Sequence, residues 1–186
     1  DTVKAEVREM TRDEAIILMV ESNLQRSVIL PSEKAFSYKM RLEAMKRQAG
    51  RPAQDNYSPL GNNSFGTKSS DEMAAEVGES KNTIFRYIRL TELIPELLDL
   101  VDEGRIAFRP AVELSYLQKE EQRALLEQIA YADATPSLAQ AIKLKRFSQD
   151  GKLHNEVIES IMSEEKPNQR EKINIKYAEA RRFIPA

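Results

Sequence analysis

The chain has 186 residues, room for one or two small domains with cores of their own. Its formal net charge of −2 excludes affinity for nucleic acid through global positive charge, so any such affinity must come from a local surface. With no cysteine and a single histidine, His154, disulfides, thiolate metal sites and thiol redox chemistry are excluded and a histidine metal centre is disfavoured.

No apolar run nears the roughly 18 residues of a membrane-spanning helix, and no signal peptide is visible. A cytoplasmic protein with no membrane partner is therefore expected. Val3, Ala5 and Val7 alternate with Lys4, Glu6 and Arg8, the period of a half-buried strand. Such a strand needs partners upstream or on another chain. The first residue is Asp1 rather than methionine, so an excised piece of a longer protein is expected.

Thr11 and Glu14 form the pattern of a capping box, opening a helix expected to run to about Ser22. Ala15, Ile16, Leu18 and Met19 would be its apolar side. The segment Asn23-Leu24-Gln25-Arg26 is polar and compact. Asn23 can cap backbone groups there, and Arg26 can pair with Glu33 or Glu21. Pro31 or Ser32 begins a further helix through Ala35, Tyr38, Met40, Leu42 and Met45, ending near Gly50. Residues 51–68 hold two prolines, two glycines and three asparagines without periodicity. They read as a mobile linker, the competing reading being an irregular loop anchored by Tyr57, Leu60 and Phe65.

Ser69 to Leu90 is the most informative stretch, two short helices about a turn. Ser69 or Ser70 is expected to cap the first, with Asp71 and Glu72 in its opening turn and Met73, Ala74 and Val77 on one face. Gly78 sits where a positive φ is needed, followed by Glu79 where many such turns carry an apolar residue. Ser80 can cap the second helix, with Thr83 three positions on. At about 100° per residue, Ile84, Tyr87 and Ile88 share one side and Asn82, Arg86 and Arg89 the other. Thr83 and Phe85 flank the polar side, and Lys81 lies in the first turn. This is the set a major-groove helix requires: an amide for adenine, guanidinium groups for guanine or phosphate, and a methyl or ring for thymine. The plainer reading is an amphipathic hairpin whose outer face is polar because it is wet.

Residues 91–103 predict an acidic helix capped by Thr91 and stopped by Gly104, with Leu93, Leu97, Leu98 and Val101 inward. Three more helices follow. Pro110 starts one through Val112, Leu114 and Leu117; Glu120 to Tyr131 forms the next, with Leu125, Leu126 and Ile129 inward; Thr135 or Ser137 starts the last, with Leu138, Ala141, Ile142 and Leu144. Lys143, Lys145, Arg146 and Lys152 make a basic cluster that reads either as a phosphate grip or as a solvated face. Beyond Gly151 stands one amphipathic stretch, Val157 to Met162, then a polar run and INIKYAEARRF, a peripheral strand, helix or tail. The fold class is mainly α: a short N-terminal strand, a helical linker region, then a helix-turn-helix within a compact helical bundle.

Two stretches resemble a known family. Asn23-Leu24-Gln25-Arg26 followed by Leu30-Pro31-Ser32-Glu33-Lys34-Ala35 is similar to the second conserved box of the ParB/Spo0J partition proteins. The two-helix unit with IRLTELIPELLDLVDEGRI resembles their central DNA-binding domain, and AVELSYLQKEEQRALLEQI the helices after it. The resemblance divides the chain into part of an N-terminal domain (1–50), a linker (51–68), a DNA-binding domain (69–150) and an extension (151–186). It implies sequence-specific binding to a centromere-like inverted repeat in duplex DNA, as a homodimer, in chromosome, plasmid or mobile-element partition. A ParA-like Walker ATPase would be the partner and the nucleoid the location.

Many members are also clamps that bind and slowly hydrolyse CTP with magnesium. The resemblance places the corresponding residues at Glu21, Ser22, Asn23 and Arg26, with Ser22 where the family has glutamate and no Gly-x-Arg-Arg box present. CTP and magnesium are thus expected of the full-length protein and no cofactor of this stretch. Two other readings stand beside DNA recognition: a nucleotide-dependent switch or enzyme, and a transcriptional regulator or adaptor using the same helices.

Overall fold

A computed structural model describes residues 6–26, 28–48 and 67–164. Among them are nine helices and no strand: α1 (Arg12–Leu24), α2 (Pro31–Gln48), α3 (Thr67–Val77), α4 (Lys81–Leu90), α5 (Pro95–Asp102), α6 (Phe108–Leu114), α7 (Lys119–Ala132), α8 (Leu138–Gln149) and α9 (Asn155–Met162). Val3 and Ala5 of the expected strand, residues 51–66 of the expected linker, and the stretch INIKYAEARRF lie outside the described residues. Residues 6–10 have no regular structure.

Several helix starts follow from local chemistry. The Thr11 hydroxyl accepts from Glu14 N while the Glu14 carboxylate accepts from Thr11 N at 2.7 Å, closing the box at the head of α1. Glu33 accepts from Leu30 N at 3.1 Å and orients the entry to α2, where Pro31 sacrifices no hydrogen bond. Ser137 and Gln140 close a similar box on α8.

Other boundaries and faces differ from the expectation. The first reading helix begins at Thr67, so Ser69 and Ser70 lie inside it, and Asp71 and Glu72 fall beyond its first turn. A serine caps only where its own backbone is extended, and at both positions it is helical. Thr91 closes the end of α4, its hydroxyl donating to Ile88 O at 2.8 Å, and α5 begins only at Pro95. In α1 the inward row runs through Ile16, Ile17, Val20 and Leu24, leaving Leu18 and Met19 exposed. Met40 and Ile142 also face out.

Two apolar clusters hold the helices. The larger joins Leu90, Leu97, Ile106, Leu114, Leu125, Leu144 and Ile158, and it takes in Ala35 of α2 and the inward side of α9. The smaller is Tyr38 and Leu42 from α2, Met73 from α3, and Ile84 and Ile88 from α4. Each fully buried large side chain contributes about 1.5–3 kcal/mol. Buried Gln122 ties the layers together, its Oε1 accepting from Ile94 N while its amide donates to Leu117 O and Glu92 O. Such a group is tolerated because both its amide oxygen and its amide nitrogen are hydrogen-bonded.

α2 is a strut along the bundle. Its first turn is capped by Asp102 of α5, which accepts from Ser32 N at 2.9 Å and from the Ser32 hydroxyl. Lys39 donates to Thr91 Oγ1 at 3.3 Å. Arg41, only 4% exposed, is ion-paired with Glu21 of α1 at 2.8 Å and with Glu76 of α3.

Candidate nucleic-acid interface

α3, the turn at 78–80 and α4 form the expected helix-turn-helix. Gly78 adopts φ +71°, a conformation that side chains with a Cβ rarely take. The Ser80 hydroxyl then accepts from Thr83 N at 3.1 Å and starts α4. Ile84 and Ile88 are sunk in the smaller cluster and anchor the inner side of α4.

On the opposite side Asn82 and Arg86 are exposed, one turn apart. Both bear groups able to form paired hydrogen bonds with a base edge. Ser80 and Thr83 bond each other through their hydroxyls at 2.8 Å, at the exposed head of the helix. Lys81 is ion-paired with Asp71 at 3.2 Å. Phe85 is half-buried and packs on the smaller cluster, so its ring supports α4.

Arg89 departs from the expected face. Its Nε donates to Ser115 Oγ at 3.2 Å, its Nη2 donates to Ser115 O at 2.7 Å, and its guanidinium lies 4.2 Å from the centroid of the Tyr116 ring. The same ring carries Lys145 Nζ at 3.9 Å, and Lys145 is ion-paired with Glu113 at 2.9 Å. Arg89 of α4 and Lys145 of α8, separate in sequence, therefore meet on one tyrosine. Tyr116, Ser115 and Glu113 gave no signal in sequence, because a tyrosine after an apolar helix reads as ordinary core.

The rest of the basic cluster divides. Lys143 is held by Glu164 at 2.7 Å, while Arg146 and Lys152 are exposed. The residues placed by resemblance at a nucleotide site are also distributed: Glu21 is engaged by Arg41, and Ser22 and Arg26 are exposed beside half-buried Asn23. Neither pairing offered for Arg26 is formed, since Glu21 goes to Arg41 and Glu33 to Leu30 N. Among the described residues no group of three or more His, Cys, Asp or Glu side chains could hold a metal ion. No helix among them is long and apolar enough to cross a membrane. An open depression between α7 and α9 is walled by Glu120, Glu121 and Glu156, charges that repel phosphate.

Residues 63–146, which contain this helix-turn-helix, Tyr116 and the basic cluster up to Arg146, match the ParB HTH domain. The chromosome-partitioning protein Spo0J of Thermus thermophilus is 28% identical over 141 residues, which cover 76% of this chain and 44% of that protein. Over residues 63–146 the chain carries a ParB-type HTH domain, and it is similar to the ParB/Spo0J partition proteins. It spans less than half the length of that curated relative. The matched residues run from α3 to most of α8, and the α1–α2 pair precedes them.

Proposed function

We propose that this ParB/Spo0J-like chain is a sequence-specific double-stranded DNA-binding protein of a chromosome or plasmid partition system. α4 enters the major groove, Asn82 and Arg86 read base edges, and Ser80, Lys81 and Thr83 meet the flanking backbone at its amino end. Arg89 and Lys145, gathered on Tyr116, form the basic shoulder beside it, with Lys143 and Arg146 further along α8. Phe85 supports the helix from below. Two copies related by a two-fold axis read a centromere-like inverted repeat, one half-site each. Residues 69–150 act as the reading unit at the nucleoid, and a ParA-like ATPase is the partner of the longer protein.

The observation that carries this reading is the division of α4: Asn82 and Arg86 point outward while Ile84 and Ile88, at 1% and 2% exposure, anchor the opposite side. The match of residues 63–146 to the ParB HTH domain supports it independently. The test is selection of bound duplexes from a random library, repeated with Arg86→Ala. An inverted repeat should emerge for the native chain, and Arg86→Ala should lose about 1–3 kcal/mol on it, with one position of each half-site relaxed. Recovery of no preferred sequence would overturn the proposal, as would equal binding of both proteins to the repeat.

A further inference from the structure

The turn between α3 and α4 is closed by a charge. Glu79 follows Gly78 directly, and its carboxylate is ion-paired with Lys34 Nζ of α2, with both side chains less than a quarter exposed. The same ammonium lies 4.7 Å from the centroid of the Tyr87 ring and 5.7 Å from that of Tyr38. Tyr38 and Tyr87 meet edge to face at 5.8 Å and 84°, and Phe108 closes on Tyr87 from α6 at 4.5 Å. Tyr87 is the neighbour of Arg86 on α4. One cation from α2 therefore holds both the turn and the flank of the helix that presents Arg86 and Asn82.

Ile84 and Ile88 set how deeply α4 sits, but a row of branched apolar side chains resists rotation about the helix axis only weakly. Rotation is fixed by contacts on the flank, where Lys34 lies. A small rotation swings the tips of Asn82 and Arg86 sideways, and paired hydrogen bonds to a base edge do not survive a displacement of about 1 Å. Phosphate contacts tolerate it, because long cationic side chains follow the backbone.

We infer that Lys34 is a specificity-setting positioning residue for DNA recognition, holding Glu79 of the turn and Tyr87 of α4 together so that Asn82 and Arg86 meet the bases in register. This rests on the DNA-reading function proposed above. Lys34 touches no base in this arrangement, and its effect falls on discrimination rather than on general affinity for DNA.

The experiment uses the whole chain and measures affinity for the selected inverted repeat and for a scrambled duplex of equal length, over a series of salt concentrations, alongside thermal melting. Lys34→Met, which keeps the apolar stem, should lower affinity for the repeat about tenfold, the scale of one lost base contact, and leave scrambled-duplex affinity and its salt slope as in the native chain. Lys34→Arg should recover most of the loss, and Glu79→Gln should reproduce it. An unchanged ratio of repeat to scrambled affinity in Lys34→Met would overturn the inference, and so would equal losses on both duplexes, the mark of a phosphate contact. If Lys34→Met does not fold, the ratio for Glu79→Gln, which preserves the shape of the side chain, decides in the same way. A native chain that fails to prefer the repeat would instead sink the DNA-reading function itself.

Discussion

Arg86 extends into solvent from α4, while Arg89, less than a turn further on, is folded back onto Ser115 and Tyr116. Arg86→Ala should leave stability within about 0.5 kcal/mol of the native chain, as surface substitutions do. Arg89→Ala should cost about 1 kcal/mol, because charged hydrogen bonds to the end of α6 are lost at a partly solvated site. Urea unfolding of the two variants checks the contrast, and an equal cost would contradict the assignment of Arg89 to the fold. Gly78→Ala meets no atom within 4 Å, so its cost comes only from φ +71°, about 1–2 kcal/mol on the same measurement. Glu14 is held below the ordinary glutamate range, first by the backbone N–H of Thr11 and then by its hydroxyl. A depressed folded-state pKa adds stability that is present above the unfolded value, near 4.5, and is lost as pH falls through the lowered value. Acid loss of helicity should therefore be smaller in Glu14→Gln than in the native chain, measured by circular dichroism below that pH.

At the scale of elements, α2 is as much a part of the helix-turn-helix as α3 and α4 are. Tyr38 and Leu42 fill the space between Met73, Ile84 and Ile88, and three of its side chains, Ser32, Lys34 and Arg41, reach Asp102, Glu79 and Glu76. Burial, with the Glu79 carboxylate beside it, holds the Tyr38 phenol above its ordinary range, so the ring stays neutral in the cluster. Tyr38→Ala should cost about 3–5 kcal/mol through the cavity it leaves. A piece limited to residues 67–164 would expose Met73, Ile84 and Ile88 and leave Glu76 and Glu79 without their cations. It should melt broadly or not fold, whereas residues 31–48 supplied in trans as a peptide should restore a sharp transition. A cooperative 67–164 of native stability would refute this role of α2.

For the whole molecule as described, the larger core runs from Ala35 through α4–α8 to Ile158 and Met162, and α2 and α4 join it to the smaller one, which couples the two clusters. Thermal unfolding of residues 31–164 should be one transition, with calorimetric and van't Hoff enthalpies equal. Deleting α9 should lower its midpoint, since Ile158, Ile161 and Met162 are all buried. The net charge of −2 and the pairing of Lys143 and Lys145 with Glu164 and Glu113 also bound the electrostatics of DNA binding. Among the described residues of the proposed surface, Arg86 and Arg146 are the exposed cations without an ion pair, so the contribution of this surface should give a shallow salt slope of a few phosphates per copy.

Residue chemistry local to the chain determined the helix starts at Thr11, Pro31, Ser80 and Ser137, the turn at Gly78, and the burial of Ile84 and Ile88 opposite Asn82 and Arg86. The starts and the turn rest on chemistry within four residues, and the burial pattern on helical period, so all can be read along a line. Tertiary structure alone decided that Arg89 serves α6, that Glu21 and Glu76 share Arg41, that Glu79 belongs to Lys34, and that Lys145 of α8 meets Arg89 of α4 on Tyr116. Periodicity tells which side of a helix is buried but carries no record of which helix buries it, and a charged side chain takes its partner from whatever element packing brings alongside.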